Sequence, residues 1–192
     1  QSLRFNDDDS AKLPRTFGTP TNNKIWTYSG WFKRGNIGAS IGYTFLKAGV
    51  NTTNFAVIYF KEEAGTYDQI TFGLRISGDW TTHQTIGTGS DGATAGVRAL
   101  RDPSAWMNLI VAFDSTESSV GDRLKMYLDG VLQPTVLNDD DFVVALNDVP
   151  YINKDGEEHQ IGLSQGGVYQ DGYLAEVHFV DGQALAPSSF GE

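Results

Sequence analysis

Trp106-Met107-Asn108-Leu109-Ile110-Val111-Ala112-Phe113-Asp114, a polar loop, then Arg123-Leu124-Lys125-Met126-Tyr127-Leu128-Asp129-Gly130-Val131: this stretch decides the fold. In the second run Leu124, Met126 and Leu128 alternate with Lys125, Tyr127 and Asp129. A period of two sends the apolar set to one sheet face and the polar set to the other. The first run is almost uninterrupted apolar sequence, the pattern of a strand covered on both faces. The loop Ser115 to Asp122 is rich in Ser and carries Gly121, which suits a hairpin. Asp129-Gly130 reads as a tight turn, because Gly, and to a lesser degree Asp, tolerates positive φ. Two antiparallel strands therefore form the centre of the protein.

The same alternation recurs outward from this pair. Leu3 and Phe5 share one face of a first strand, and Asp7-Asp8-Asp9 ends it. Ile25 to Lys33 places Trp26, Tyr28 and Phe32 on one face and Trp31 on the other. Further strand-like runs cover Ile41 to Lys47, Asn54 to Lys61, Gln69 to Ile76, Gln160 to Ser164 and Gly172 to Val180, with a short one at Thr81 to Thr85. Gly78-Asp79 reads as a turn that carries Trp80. In the tail, Ala186-Pro187-Ser188-Ser189-Phe190 reads as one helical turn, since Pro suits the first helical position. About a dozen short strands at spacings of about 8–12 residues, with no helix of normal length, predict an all-β sandwich or barrel. The 192 residues fit one domain, 1–192, with no internal repeat and no linker.

Composition narrows the chemistry. A formal net charge of −10 and a pI near 4.6 repel a phosphate backbone, so nucleic acid is an unfavourable partner. The chain has no Cys, which removes disulfides, thiolate metal sites and Cys nucleophiles. No apolar run reaches the length of a membrane span and no signal-peptide pattern is present. The first residue is Gln1 rather than Met, which is expected of a processed piece or a domain excised from a longer chain.

Several segments carry a family resemblance in order along the chain. They are Ser2-Leu3-Arg4-Phe5, Tyr28-Ser29-Gly30-Trp31-Phe32-Lys33, Trp106 through Asp114, Tyr127-Leu128-Asp129-Gly130-Val131, and Ile161-Gly162 followed by Asp171-Gly172-Tyr173-Leu174-Ala175-Glu176-Val177. Together they resemble the laminin-G-like branch of the concanavalin A-like jelly rolls. The resemblance implies an antiparallel two-sheet jelly-roll sandwich with the first and last strands adjacent. It also implies core positions for Trp31 and Trp106. The segment from Glu176 to Glu192 resembles virion-associated proteins of bacteriophages, which implies a tail, fibre or capsid-surface setting.

The same fold hosts laminarinase-type glycosidases. These carry two carboxylates, about 5–5.5 Å apart for retention, on one strand as Glu-x-Asp-x-x-Glu. No such run exists here; Glu62-Glu63 are adjacent and would face opposite sides, and Glu176 has no second carboxylate on its face. His83, His159 and His178 show no metal-ligand spacing. Gly87-Thr88-Gly89-Ser90-Asp91-Gly92 matches a dinucleotide-binding pattern by letter but lacks the following helix, so it reads as a loop. Calcium is the ion that clustered acids would suit. Its candidate ligands are Asp7 to Asp9, Asp139 to Asp141, and Asp155 with Glu157, none with EF-hand spacing. The family resemblance would favour Asn6, Asp7 and Glu176. No cofactor and no metal site is assigned.

Sugar binding requires exposed aromatic faces with polar groups beside them. Trp80, which neighbours His83, is one loop candidate, and Tyr67 and Tyr169, beside the loop residues Asp68 and Asp171, are the others. The sequence thus predicts a non-catalytic structural or adhesive module of a phage particle, on its exposed surface, that grips a host-surface glycan or a neighbouring virion protein. Two alternatives stay open: a purely architectural virion domain, repeated as a homo-oligomer with no glycan ligand, and a glycoside hydrolase. Membrane insertion is not expected.

Overall fold

The protein is seen in a computed structural model that describes residues 1–35, 43–49, 51–63, 66–87, 100, 102–134, 136–137, 143–164, 167 and 169–191. For residues 61–63, 66–68, 87, 136 and 137 only the backbone is described. The strands in chain order are β1 (Ser2–Phe5), β2 (Leu13–Thr16), β3 (Ile25–Arg34), β4 (Thr44–Ala48), β5 (Phe55–Glu63), β6 (Thr66–Ile76), β7 (Asp79–Gly87), β8 (Met107–Asp114), β9 (Leu124–Leu128), β10 (Val131–Leu132), β11 (Val136–Leu137), β12 (Glu158–Ile161) and β13 (Gly172–Asp181). They form a six-stranded sheet, β1-β13-β3-β8-β9-β10, and a seven-stranded sheet, β11-β7-β6-β5-β4-β12-β2. The pairings are antiparallel, and β1 lies against β13 as the resemblance implied. This is the all-β jelly-roll sandwich expected from the sequence.

The period-two pattern explains which sides meet. From the six-stranded sheet, Trp26 stacks on Phe113 with centroids 5.0 Å apart and an interplanar angle of 6°. Phe72 of the other sheet approaches both rings, at 5.9 and 5.7 Å. A second cluster joins Phe32 to Phe45 and Phe60 across the gap at 5.0 and 5.7 Å. Each such ring, fully withdrawn from water, contributes roughly 1.5–3 kcal/mol. Arg34 is buried at the end of this core. Its guanidinium lies 4.4 Å from the centre of the Phe60 ring, and Nη1 donates to the Leu100 carbonyl at 2.7 Å.

The central hairpin behaves as its sequence dictates. β8 pairs with β9, and Leu124, Met126 and Leu128 are buried while Lys125 and Tyr127 are half-buried. Asp129 and Gly130 both have positive φ, 46° and 76°, which lets β10 fold back on β9. β8 is buried along both faces. The chain's final segment, after β13, bonds to the neighbouring strand β3. There Thr27 Oγ1 donates to the Gln183 carbonyl at 2.7 Å and accepts from Leu185 N–H at 2.8 Å. A short 3-10 helix, Pro187–Phe190, follows and sets Phe190 6.1 Å from His178. The helical turn expected at the tail is thus present as a 3-10 turn.

A buried histidine ties the other end together. His159 of β12 stacks on Phe17 at 3.7 Å. Its Nε2 accepts from Asn153 N–H at 3.0 Å, which leaves Nδ1 to donate to the Glu157 carbonyl at 3.0 Å. This bracket needs the neutral ring, and burial pushes its pKa down from 6.5 to about 4.

Two predictions follow from these contacts. Replacing Thr27 with Val removes both hydroxyl bonds and leaves the part-buried Gln183 carbonyl and Leu185 N–H without these partners. Stability in urea should fall by about 1–3 kcal/mol, with faster proteolysis of the tail. For His159 the folded pKa lies below the unfolded one, so the unfolded chain takes up the proton first. Stability from this ring is full above about pH 6.5, declines as pH falls toward 4, and is lost below, a swing of about 3 kcal/mol. An NMR titration should place His159 near pH 4; a midpoint at 6.5 would refute the bracket.

Candidate functional site

The outer face of the seven-stranded sheet gathers two of the candidates, Trp80 and His83. Ile70, Phe72 and Leu74 of β6 point into the core, so Thr71, Gly73 and Arg75 point outward. Phe55, Val57 and Tyr59 of β5 lie opposite them, by the register Phe55↔Arg75, Val57↔Gly73 and Tyr59↔Thr71. On the far side His83 pairs with Gly73. Here β7 departs from alternation. Leu74 pairs with Thr82 but Arg75 pairs with Trp80, so Thr81 is an extra residue. This bulge turns Trp80 to the outer face, where strict alternation from Thr82 would have sent it inward.

Trp80 therefore belongs to a strand rather than to the turn expected from Gly78-Asp79. The turn exists one residue earlier, at Ser77 and Gly78, both with positive φ. The indole packs against Phe55 edge-on at 5.5 Å and beside His83 at 4.9 Å. The Arg75 guanidinium lies 5.7 Å from the indole, held by its Nε donating to the Gly78 carbonyl at 2.6 Å. Tyr59 Oη and His83 Nε2 are 3.3 Å apart. Space for the indole comes from Gly73, where an added Cβ would sit 2.5 Å from Trp80 Cζ3. Trp80 and His83 stay half-buried, so an aromatic edge, an imidazole, a phenol and a guanidinium share one partly open patch.

Tyr169 and Asp171 do not join this patch. Tyr67 lies in β6 and its side chain is outside the described residues. Tyr169 makes an isolated bridge to Leu163, and Asp171 stands just before β13, in the other sheet's neighbourhood. Asp171 lies against Gly35, and its carboxyl is pushed up by burial and by Asp7, against the pull of Arg4. Trp31 and Trp106, expected in the core, are not there. Trp31 alternates with buried Tyr28 and Phe32 and is half-exposed; Trp106 precedes β8 and is 38 % exposed beside Tyr173. The sequence did contain the signal for Trp31, in its placement opposite Trp26 and Phe32.

The calcium candidates also separate. Asn6 and Asp7 follow the Phe5 end of β1, whereas Glu176 lies beyond its Ser2 end, since Ser2 pairs with Ala175 and Phe5 with Gly172. At about 3.3 Å per residue that is roughly 16 Å of strand. Asp7 to Asp9 form an exposed 3-10 turn, Asp155 accepts from Thr19, and Glu157 pairs with Lys154 at 3.5 Å. Among the described residues no group of three or more His, Cys, Asp or Glu side chains is arranged to hold a metal ion. Asp139 to Asp141 and the glycine-rich residues 88–92 lie outside the described residues. Among the described residues no helix is long and apolar enough to cross a membrane.

Two antiparallel sheets packed through interleaved aromatic rings define the fold: a jelly-roll sandwich. No family model matches the chain, and no curated protein matches it. Solved structures do. The LG4-5 domains of the mouse laminin α1 chain align with a TM-score of 0.56 at 9 % identity, over 93 % of this chain and 41 % of that one. The CBM40 domain of the Ruminococcus gnavus IT-sialidase, bound to α2,3-sialyllactose, aligns at 0.51 and 14 % identity, over 100 % and 95 %. Domain 4 of an extracellular arabinanase from Geobacillus stearothermophilus, in complex with arabinotriose, aligns at 0.51 and 14 % identity, over 86 % and 64 %. At these identities the likeness is one of fold.

The close fit at Gly73 gives a direct test of the patch. Gly73→Ala should displace the indole, shifting Trp80 fluorescence while far-UV circular dichroism stays that of a β-sandwich. An unchanged Trp80 signal would mean the ring does not rest there.

Proposed function

We propose that this domain is a non-catalytic binding module for surface glycans, which it engages on the outer face of β5, β6 and β7 through Trp80. The observation that carries this reading is the bulge that turns Trp80 outward onto Gly73, beside His83 and Arg75. A pyranose presents an apolar face of C–H groups to an aromatic ring and hydroxyls to polar groups beside it. Trp80 supplies the first, and the imidazole and guanidinium supply the second. The fold neighbours support the reading, because two of them are named with a bound saccharide. So does the sequence, which lacks the paired-carboxylate run of the laminarinase-type enzymes.

The setting we propose is the exposed surface of a phage particle, where many copies would adhere to host glycans in parallel. That setting rests on the resemblance of Glu176 to Glu192 to virion proteins. On a symmetric particle such a domain would be repeated, and its second partner would be a neighbouring virion protein.

A glycan array run with the wild-type domain and with Trp80→Ala tests the proposal. Reproducible binding should weaken on the order of tenfold or more in the variant, about 1.4 kcal/mol per decade, with the fold retained. Silence on the array together with a defined stoichiometry on purified particles would replace adhesion by architecture. Cleavage of a polysaccharide, abolished by changing one acidic residue, would overturn the non-catalytic assignment.

A further inference from the structure

The outer face of the six-stranded sheet is covered at one end and open at the other. The tail covers the Thr27 end through the hydroxyl bracket at Gln183 and Leu185. At the opposite end the register lines up one row across the strands: Arg4 pairs with Tyr173, and Tyr173 with Lys33. Trp106, one residue before β8, continues the row, because Phe32 pairs with Met107. Cation, aromatic, cation and aromatic thus alternate over about 14 Å, three strand spacings. Trp31 stands on the same face one row inward.

The side chains close this row into a notch. The Trp106 and Tyr173 rings lie 6.3 Å apart at 61° to one another. Lys33 Nζ lies 5.4 Å from the Tyr173 ring centre. Lys33 has no carboxylate partner among the described residues, in a chain of net charge −10. Four acids among the described residues flank the row, Asp129 on one side and Asp171 with Asp7 and Asp8 around Arg4 on the other. Asp129 accepts from Asn108 N–H at 2.8 Å, and Asp171 lies against Gly35 with Arg4 as its neighbouring cation. Trp106 remains 38 % exposed, which withdraws a large ring only partly from water.

We infer that the Trp106–Tyr173–Lys33 notch is a second saccharide site, specific for a pyranose that bears an anionic group. The sugar's apolar face lies on the angled rings, and its carboxylate or sulfate meets the Lys33 ammonium. The site is separate from Trp80, which sits on the other sheet, so the two bind independently. Lys33 is half-buried with its ammonium over the Tyr173 face, so it is held in place for an anion at a lower ordering cost than a freely moving lysine.

Calorimetry and NMR on the whole domain test this with three probes: an oligogalacturonate, dextran sulfate and neutral maltoheptaose. Oligogalacturonate, dextran sulfate or both should bind saturably, severalfold more weakly at 300 mM than at 50 mM NaCl, and should shift the Trp106 indole resonance; which of them binds tells carboxylate from sulfate. Maltoheptaose should leave that resonance still. Lys33→Gln and Trp106→Ala should each weaken the anionic probe at least fivefold, and Lys33→Arg should retain most of the affinity. Absence of binding by both anionic probes, equal response to maltoheptaose, or an anionic response that survives Lys33→Gln would overturn the inference. Self-association of the domain abolished by Trp106→Ala, with no saccharide response, would assign the notch to a protein contact and overturn it as well.

Discussion

The Trp26–Phe113 stack, with Phe72 reaching it from the opposite sheet, is the contact on which the rest depends. A β-sheet of this kind cannot hide an apolar face by itself, so two must meet. Once three large rings occupy the gap, the inward side of β3, β6 and β8 is settled. Side chains one residue away must then face out. Every surface feature of this molecule inherits its position from that assignment, including the aromatic groups offered to solvent.

A sandwich still has two outer faces, and this chain treats them unequally. The six-stranded sheet is roofed at one end by the final segment, which explains why β8 is apolar on both sides. The roof is held in part by the Thr27 hydroxyl, which gives one hydrogen bond and receives another, and in part by Gly182 N–H donating to the Ile25 carbonyl. Where the roof ends, Trp106 and Tyr173 stand partly open. On the seven-stranded sheet an aromatic ring is instead admitted by a missing side chain at Gly73. Exposed aromatics at both places are positioned by rigid strands rather than by loops, which suits recognition of a flat, rigid partner.

Much of this was legible in the chain. The alternation Leu124, Met126, Leu128 predicted the inward face of β9, the Asp129-Gly130 pair predicted its turn, and the uninterrupted run before it predicted a doubly covered strand. Trp80 and His83 were legible as candidates, but their neighbours were not. Phe55, Tyr59 and Arg75 reach them through strand pairings that connect residues far apart in sequence. The outward aim of Trp80 was illegible for a different reason. It depends on Thr81 being left out of the ladder, and no residue type announces that. The same gap misled the placement of Trp106, whose segment matched a family pattern while its ring lay at the sheet's open end. Asn6 and Glu176 illustrate a third limit: both lie near the first and last strands, yet antiparallel pairing puts them at opposite ends.

The last strand holds a similar irregularity. Glu176 has φ of +48° within the shift between Ala175 and His178, and beyond it Phe179 turns to the core beside Trp26 and Phe17. β13 is in effect two half-strands written in different reading frames. Excising that single glutamate would merge the frames: Val177 would stand opposite Gly30, and His178, Phe179 and Val180 would keep their partners Ser29, Tyr28 and Thr27 and therefore their faces. A one-residue deletion, which in a regular ladder turns everything after it inside out, would thus at this exposed position straighten the strand and leave its side chains on their own faces.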